Sequence, residues 1–196
     1  RMPHLQSLHW NYASQLQGLG MANGNVAFYQ YDGGGNRVRK VVRKGPITEE
    51  RIYAGAYEIF RKSTTSGLQF RRESLMLSDD SGKIAHYETK THENGNVLGT
   101  PEISIRYQYG NHLNSASLEL DENGQFLTYE EYHPFGTTSY RAAKSASEVS
   151  MKRYRYNGKE KDEESGLYYY GARYYAPWMM KWISTDPAGF VDGPNL

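Results

Sequence analysis

The sequence predicts an all-β protein assembled from stacked hairpins, and three observations predict it. Tyrosine stands where aliphatic residues usually do: among 196 residues there are 18 Tyr, 6 Phe and 3 Trp, but only 14 Leu, 7 Ile and 7 Val. Each ring can bury roughly 150–250 Å², so aromatics can supply a core, and they fit the pleated, half-buried surface of a strand. Twenty glycines divide the chain into short segments. Segments that end in tyrosine just before a turn also return at a nearly constant spacing.

The elements follow in chain order. Tyr29-Gln30-Tyr31-Asp32, followed by Gly33-Gly34-Gly35-Asn36-Arg37-Val38, reads as strand, tight turn, strand. Residues 51–55 repeat the strand-then-glycine pattern, and 75–82 repeat it without tyrosine. Residues 105–111 are the clearest second copy, and 129–136 and 154–158 follow. The last strand residue before each turn is Tyr31, Tyr53, Leu77, Tyr109, Tyr132 or Tyr156, at steps of 22, 24, 32, 23 and 24 residues. Each unit holds about two strands of five to six residues with their turns. The one long step contains residues 91–96, read as a loop insertion. A lone hairpin cannot bury its own face, so the units must stack into a quasi-one-dimensional array. Alternation supports the strands: Ile103, Ile105, Tyr107 and Tyr109 share one face, and Ser104, Arg106 and Gln108 the other. Residues 116–120 alternate likewise into an Asn123-Gly124 turn. Polar faces this regular predict one wetted side, as of a wall with one side facing a lumen or solvent. Residues 141–151 read as a loop or short helix, and 162–167 as one helical turn closed by Gly166. Residues 177–196, punctuated by Pro and Gly, read as irregular.

Composition excludes several classes. The 23 Lys plus Arg nearly balance 22 Asp plus Glu, for a net charge of +1. That argues against a dedicated DNA binder or a polybasic membrane binder. No apolar run reaches 18 residues and mean hydropathy is -0.80, so no membrane span is expected. Residue 1 is Arg, no signal-peptide pattern opens the chain, and the sequence reads as part of something longer. Without cysteine there is no disulfide framework and no thiolate metal site. His4, His9, His86, His92, His112 and His133 read as surface or strand residues, and no metal or cofactor is expected. Gly33-Gly34-Gly35 precedes a strand, not a helix, and so is no phosphate loop. Arg153-Tyr154-Arg155-Tyr156 interleaves basic and aromatic side chains as a single-strand nucleic-acid binder would. The β repeat accounts for it more simply, and no nucleic-acid partner is expected. Lys40, Arg43 and Lys44 read as a solvated hairpin tip.

The densest signal lies at 153–189, where Tyr168, Tyr169, Tyr170, Tyr174 and Tyr175 fall within eight residues. As a strand, they would have to occupy both faces. Tyr29-Gln-Tyr-Asp-Gly-Gly-Gly-Asn-Arg-Val38 resembles the Tyr-x-Tyr-Asp-x-x-Gly-Asn/Arg-Arg-Leu/Val repeat of the YD-repeat (Rhs) family. Gly166-Leu167-Tyr168-Tyr169, Ala172-Arg173-Tyr174-Tyr175, Pro177 and Asp186-Pro187-Ala188-Gly189 resemble its repeat-associated core. The resemblance covers the whole chain, loosely at 1–28 and tightly from 105 on. Residues 109–113 resemble the branch found in Tc-type toxin complexes.

The resemblance implies a spiral β shell, or cocoon, from 1–150 and a truncated core segment that plugs it from 151–196. It implies a secreted bacterial toxin component, exported by a dedicated delivery system. Its partners would be the protein's own C-terminal toxin domain beyond Leu196 and a second shell subunit. Core signature residues are Tyr168, Tyr169, Arg173, Tyr174, Tyr175, Pro187 and Gly189. Asp186 is the residue that carries over to the family's aspartyl autoprotease. That chemistry needs two close carboxylates, one base and one acid. The second comes from further along the core, so the fragment alone is expected to be inert, with Asp192 a weak substitute. Against this stands the plain reading that Asp186-Pro187 opens a turn. Arg173, set among tyrosines, reads as a cation–π or carboxylate clamp fixing the plug, or else as an exposed strand arginine. The family's Leu-Gly-Arg before the Asp motif is Met179-Met180-Lys181 here, which removes a permissive backbone position and a bidentate fork. A different class stays open: an adhesion or carbohydrate-binding β module using exposed Tyr and Trp (Trp10, Trp178 and Trp182).

Overall fold

The structure is a computed structural model and describes residues 2–80, 82–187 and 189. Twelve strands run as one antiparallel meander in sequence order. They are β1 Leu5–Trp10, β2 Leu16–Met21, β3 Val26–Tyr31, β4 Arg37–Lys44, β5 Ile47–Ala54 and β6 Tyr57–Thr64. Then come β7 Gly67–Asp79, β8 Gly82–Glu93, β9 Asn96–Gly110, β10 Ala116–Leu120, β11 Phe126–Tyr132 and β12 Thr138–Ala143. The helix α1, Ala146–Met151, leaves the sheet, with Ser145 Oγ accepting from Glu148 N to cap it. A second sheet, β13 Glu160–Lys161, β14 Tyr168–Tyr169, β15 Tyr174–Ala176 and β16 Lys181–Trp182, pairs in the same sequential order.

The turns explain the regularity. Asp32 Oδ1 accepts from Gly34 N at 2.9 Å and Asn36 N at 2.8 Å. Asp121 repeats this on Asn123 and Gln125, and Asn11 and Asn111 make the same pair of bonds in their own turns. In these four turns the acidic or amide residue that follows the strand thus satisfies the turn's own amides.

The large sheet wraps around the small one. In a flat sheet β4 and β12 would lie eight strand spacings, ~38 Å, apart. Yet the adjacent residues Tyr168 and Tyr169 reach both. Tyr168 Oη donates to Gly136 O in the β11–β12 turn at 3.2 Å, and Arg37 N, at the start of β4, donates to Tyr169 Oη at 2.9 Å. The apolar core sits where β2–β4 meet this C-terminal hairpin, and comprises Leu16, Leu19, Met21, Ala27, Tyr29 and Val42 with Leu167, Tyr174 and Ala176.

Several expectations change. The long step in the repeat is no loop: residues 91–93 belong to β8, and β8 and β9 simply lengthen to 12 and 15 residues. Residues 162–167 do make the single helical turn expected, Gly166 N bonding Asp162 O four residues back at 2.7 Å and Gly166 closing it at φ 72°. Tyr154 makes only an isolated bridge to Glu160 before a 3₁₀ turn at Tyr156–Gly158. The Tyr cluster is not one strand but the β14–β15 hairpin.

Of the two sides left open for the polar face, it takes the inner one, where it is covered. Arg106 and Gln108 are buried, while Tyr109 is 53% and Ile103 58% exposed. Tyr57, Leu75, Tyr87 and Ile105 form one cross-strand row on the outer face. The polar face looks inward because its charges find opposite charges on neighbouring strands, α1 and the core segment, so burying them there does not leave them bare. Lys40 likewise leaves the expected solvated cluster and is buried, whereas Arg43 and Lys44 do sit at the exposed β4–β5 tip.

Candidate functional site

Two places carry chemistry: the charged junction between sheet and core, and the clamp around Asp186. The junction starts from the repeat motif itself. Strand alternation turns Tyr29 and Tyr31 inward, and Arg37 follows the turn that Asp32 closes. Arg37 Nη1 donates to Asp162 Oδ2 and Nη2 to Glu160 Oε2, each at 2.7 Å, and its guanidinium lies 4.3 Å from the Tyr169 ring centre. Tyr29 Oη donates to Glu164, and Tyr31 Oη donates to Leu16 O and meets Tyr174 Oη at 3.1 Å. Lys40 Nζ reaches Asp162 at 2.7 Å and Glu160 at 3.4 Å. The Tyr, Arg and Lys of one repeat therefore grip three carboxylates of the core segment.

Further round, Arg51 and Arg153 share Glu58 at 3.3 and 2.5 Å, and Arg153 also reaches Glu160. Arg155 Nη1 donates to Glu130 at 2.6 Å, with Lys152 Nζ 3.5 Å from the same carboxylate, and Arg106 pairs with Glu119 and Glu148. Burial alone would raise the Glu58, Glu130 and Glu160 carboxyls. The neighbouring cations outweigh it and hold all three below the usual range. Glu164 goes the other way, raised by burial and by Asp162 beside it. Arg153 and Arg155, the basic residues of the Arg-Tyr-Arg-Tyr stretch, are thus buried in ion pairs rather than offered to a nucleic acid.

The five tyrosines occupy both faces of the β14–β15 hairpin. Tyr169 and Tyr174 are paired and face Arg37 and Tyr31. Tyr168 and Tyr175 are paired and donate to Gly136 O and Phe135 O across the other side. Tyr170 packs edge-on against Trp182 at 5.0 Å, its hydroxyl accepting from Asn157.

Asp186 lies just past β16. Arg173, which leads into β15, donates from Nη2 to Asp186 Oδ2 at 2.8 Å while its guanidinium stacks 4.1 Å from the Trp182 ring centre. Tyr175–Trp182 pairing across β15 and β16 fixes that stack. Gly189 N donates to Asp186 O at 3.0 Å, so Asp186 also opens a turn, with Gly189 at φ 69° and Pro187 exposed within it. The turn reading of Asp186-Pro187 thus has a structural counterpart, and Arg173 forms the carboxylate clamp. Asp192 lies outside the described residues. Trp178 packs edge-on against His4 at 5.1 Å, and Trp10 packs against the apolar core, so with the Trp182 stack none of the three tryptophans forms a shared exposed platform. Among the described residues no group of three His, Asp or Glu could hold a metal ion, and no helix is long and apolar enough to cross a membrane.

Sequence reasoning passed over Arg37, Glu160 and Asp162 as site residues. Arg37 was visible as the arginine of the repeat motif; the carboxylates had no local signal, since their partners lie more than 100 residues away.

No family model matches the sequence. Toxin subunit YenC2 of Yersinia entomophaga is 36% identical over 198 residues, which is 97% of this chain and 20% of that protein. Toxin protein Tse5 of Pseudomonas aeruginosa is 34% identical over 94 residues, 48% of this chain and 7% of that protein. The crystal structure of TcdB2-TccC3 superposes with a TM-score of 0.86 at 34% identity, over 97% of this chain and 10% of that one. The chain belongs to the YD-repeat (Rhs) family. It spans a fifth of the length of the YenC relatives, so this YD-repeat segment is one part of their architecture. The all-β meander of stacked hairpins matches the fold of the solved Rhs-repeat shells.

Proposed function

We propose that this chain is the shell-and-core portion of a bacterial Rhs-type toxin subunit that is exported from the cell and encloses a polypeptide cargo. Residues 1–150 would form shell wall and 151–196 the core that closes it. The observation that carries this is the wrapping of twelve strands around one tyrosine hairpin, anchored from β4 to the β11–β12 turn. A sheet held curved in this way would form part of an enclosing wall. The likeness to YenC2 and to TcdB2-TccC3 supports a cargo in the same chain and a second shell subunit as partner. Electron microscopy of the full-length protein is expected to show a hollow shell with this segment at one end; a solid or extended particle would sink the reading.

We further infer that Asp186 takes part in self-cleavage that releases the cargo. Arg173 holds the carboxylate in one direction, and the Trp182 stack holds Arg173. In such a reaction one carboxylate removes a proton from the attacking water and the other protonates the scissile carbonyl oxygen. Asp186 would supply one of the two. In the full-length protein Asp186→Asn is expected to abolish cleavage while leaving the melting temperature within a few degrees. A variant that still cleaves would reduce Asp186 to its turn.

A further inference from the structure

The covered face of the large sheet holds a cavity of about 530 Å³ beside the ion network. Its floor is two neighbouring cross-strand rows: Lys40, Arg51, Phe60 and Arg72 from β4 to β7, and Val42, Glu49, Lys62 and Phe70 from the same strands. Met151 and Arg153 close it from the core side. Like charges set along one row repel unless an anion lies against them. The core segment and the neighbouring strands supply anions unevenly. Lys40 has Asp162 at 2.7 Å, and Arg51 and Arg153 share Glu58. Among the described residues Arg72 has only Glu88, at the long distance of 3.5 Å.

The donors tell the same story. Arg51 Nε, Arg72 Nε and Arg153 Nε are buried without a hydrogen-bond partner, and all three side chains line this cavity. Buried donors left unmet cost free energy that an acceptor would return. Burial pulls the Arg72 guanidinium down to about 10, Glu88 opposing and Arg51, Arg153 and Arg106 adding to the fall. Next to this cationic end stands an aromatic wall: Phe60 and Phe70 lie 6.0 Å apart, and Arg51 stacks 4.6 Å from the Phe60 ring centre.

We propose that this cavity binds an acidic peptide segment, seating one carboxylate against Arg72 and Arg153 and an adjacent apolar side chain against Phe60 and Phe70. A carboxylate matches the planar fork of an arginine, and the rings accept the neighbouring side chain of an extended peptide. The site would hold an enclosed polypeptide at a defined point of the wall. It stands apart from Asp186 and does not depend on any reaction there.

The probe is acetyl-Phe-Asp-amide, with acetyl-Phe-Asn-amide and inorganic phosphate as comparisons. Binding is read from the arginine Nε–H resonances of the whole chain. The Asp peptide is expected to shift the Arg72 and Arg153 signals and to bind at least tenfold more tightly than the Asn peptide. Arg72→Gln should remove that discrimination. Because that change also strands Glu88, the Arg72→Gln/Glu88→Gln double variant provides a balanced control and should lose it equally while remaining folded. Equal affinity for the two peptides, unchanged discrimination in the double variant, or phosphate binding as tightly as the Asp peptide would each overturn the proposal.

Discussion

Arg37 shows how much one side chain can hold. It is almost completely buried, carries two 2.7 Å ion pairs and lies against Tyr169. Removing one member of such a group leaves buried carboxylates uncompensated. Arg37→Met is therefore expected to lower stability by about 3–5 kcal/mol, measured as a shift in the urea midpoint. Adding Asp162→Asn to it should restore part of the loss, since the stranded charge goes with it. Met180 makes the opposite case. It stands where the family has glycine, and it adopts φ 54°, a left-handed conformation disfavoured for a residue with a Cβ. Its side chain is 60% exposed, so little packing is lost on removing it. Met180→Gly should raise stability by about 1 kcal/mol in a thermal melt. The position was legible in the sequence as the loss of a permissive glycine, though not the conformation that Met180 would adopt. The partners of Arg37 were not, because nothing local says which carboxylate a buried arginine will meet.

At the level of elements, the sequence revealed strands and turns but not which side of them would be covered. Alternation correctly divides Ile103, Ile105, Tyr107 and Tyr109 from Ser104, Arg106 and Gln108. Hydrophobicity alone does not say which face is covered, since it ignores the charges supplied by another element. Arg106 goes inward because Glu119 and Glu148 meet it there. The tyrosines before turns also part ways. Tyr31, Tyr53 and Tyr132 bond inward, to Tyr174, Glu160 and Ala116 O, while Tyr109 looks out. A register change of one residue is enough for that, and β7–β9 carry bulges at Leu77/Ser78 and Lys90/His92. Docking of the β11–β12 turn on the core can be tested directly. Gly136 has φ 87°, and a Cβ there would come within 2.5 Å of the Tyr156 ring. Gly136→Ala is expected to cost about 2–3 kcal/mol, from the backbone and the clash together. In combination with Tyr156→Ala the loss should be smaller than the sum of the two single losses, as a double-mutant cycle would show; strict additivity would mean that the turn does not bear on the core.

For the molecule as a whole, the interior is polar over much of its extent, and its stability must therefore follow pH. Glu58, Glu130 and Glu160 titrate below the ordinary range when folded, because Arg153 and Arg51, Arg155, and Lys40 with Arg37 outweigh their burial. An unfolded glutamate titrates near 4.3. Between the folded values and roughly pH 4.3 the unfolded chain binds more protons, so stability there rises with pH. That contribution is complete above about pH 4.3 and is lost as pH falls through the folded values. Glu164, raised by burial and by Asp162, works against it: its contribution is complete at low pH and is lost as pH rises through its folded value. It is one carboxylate against three. His86 adds a separate step. Burial, with Arg153 helping, lowers its imidazole below the ordinary value near 6.5, and Gln108 Oε1 lies 3.2 Å from its Nε2. The unfolded chain protonates first, so stability falls as pH drops below about 6.5. A urea midpoint followed from about pH 8 to about pH 3 should decline in two stages, shallow at first and steep below about pH 4.3. His86→Gln should remove the shallow stage and leave the steep one. A midpoint that stays flat down to pH 5 in the unaltered chain would mean that His86 is not held neutral, and a midpoint that does not fall below pH 4.3 would mean that the inward-facing carboxylates are not what fastens the sheet around its core.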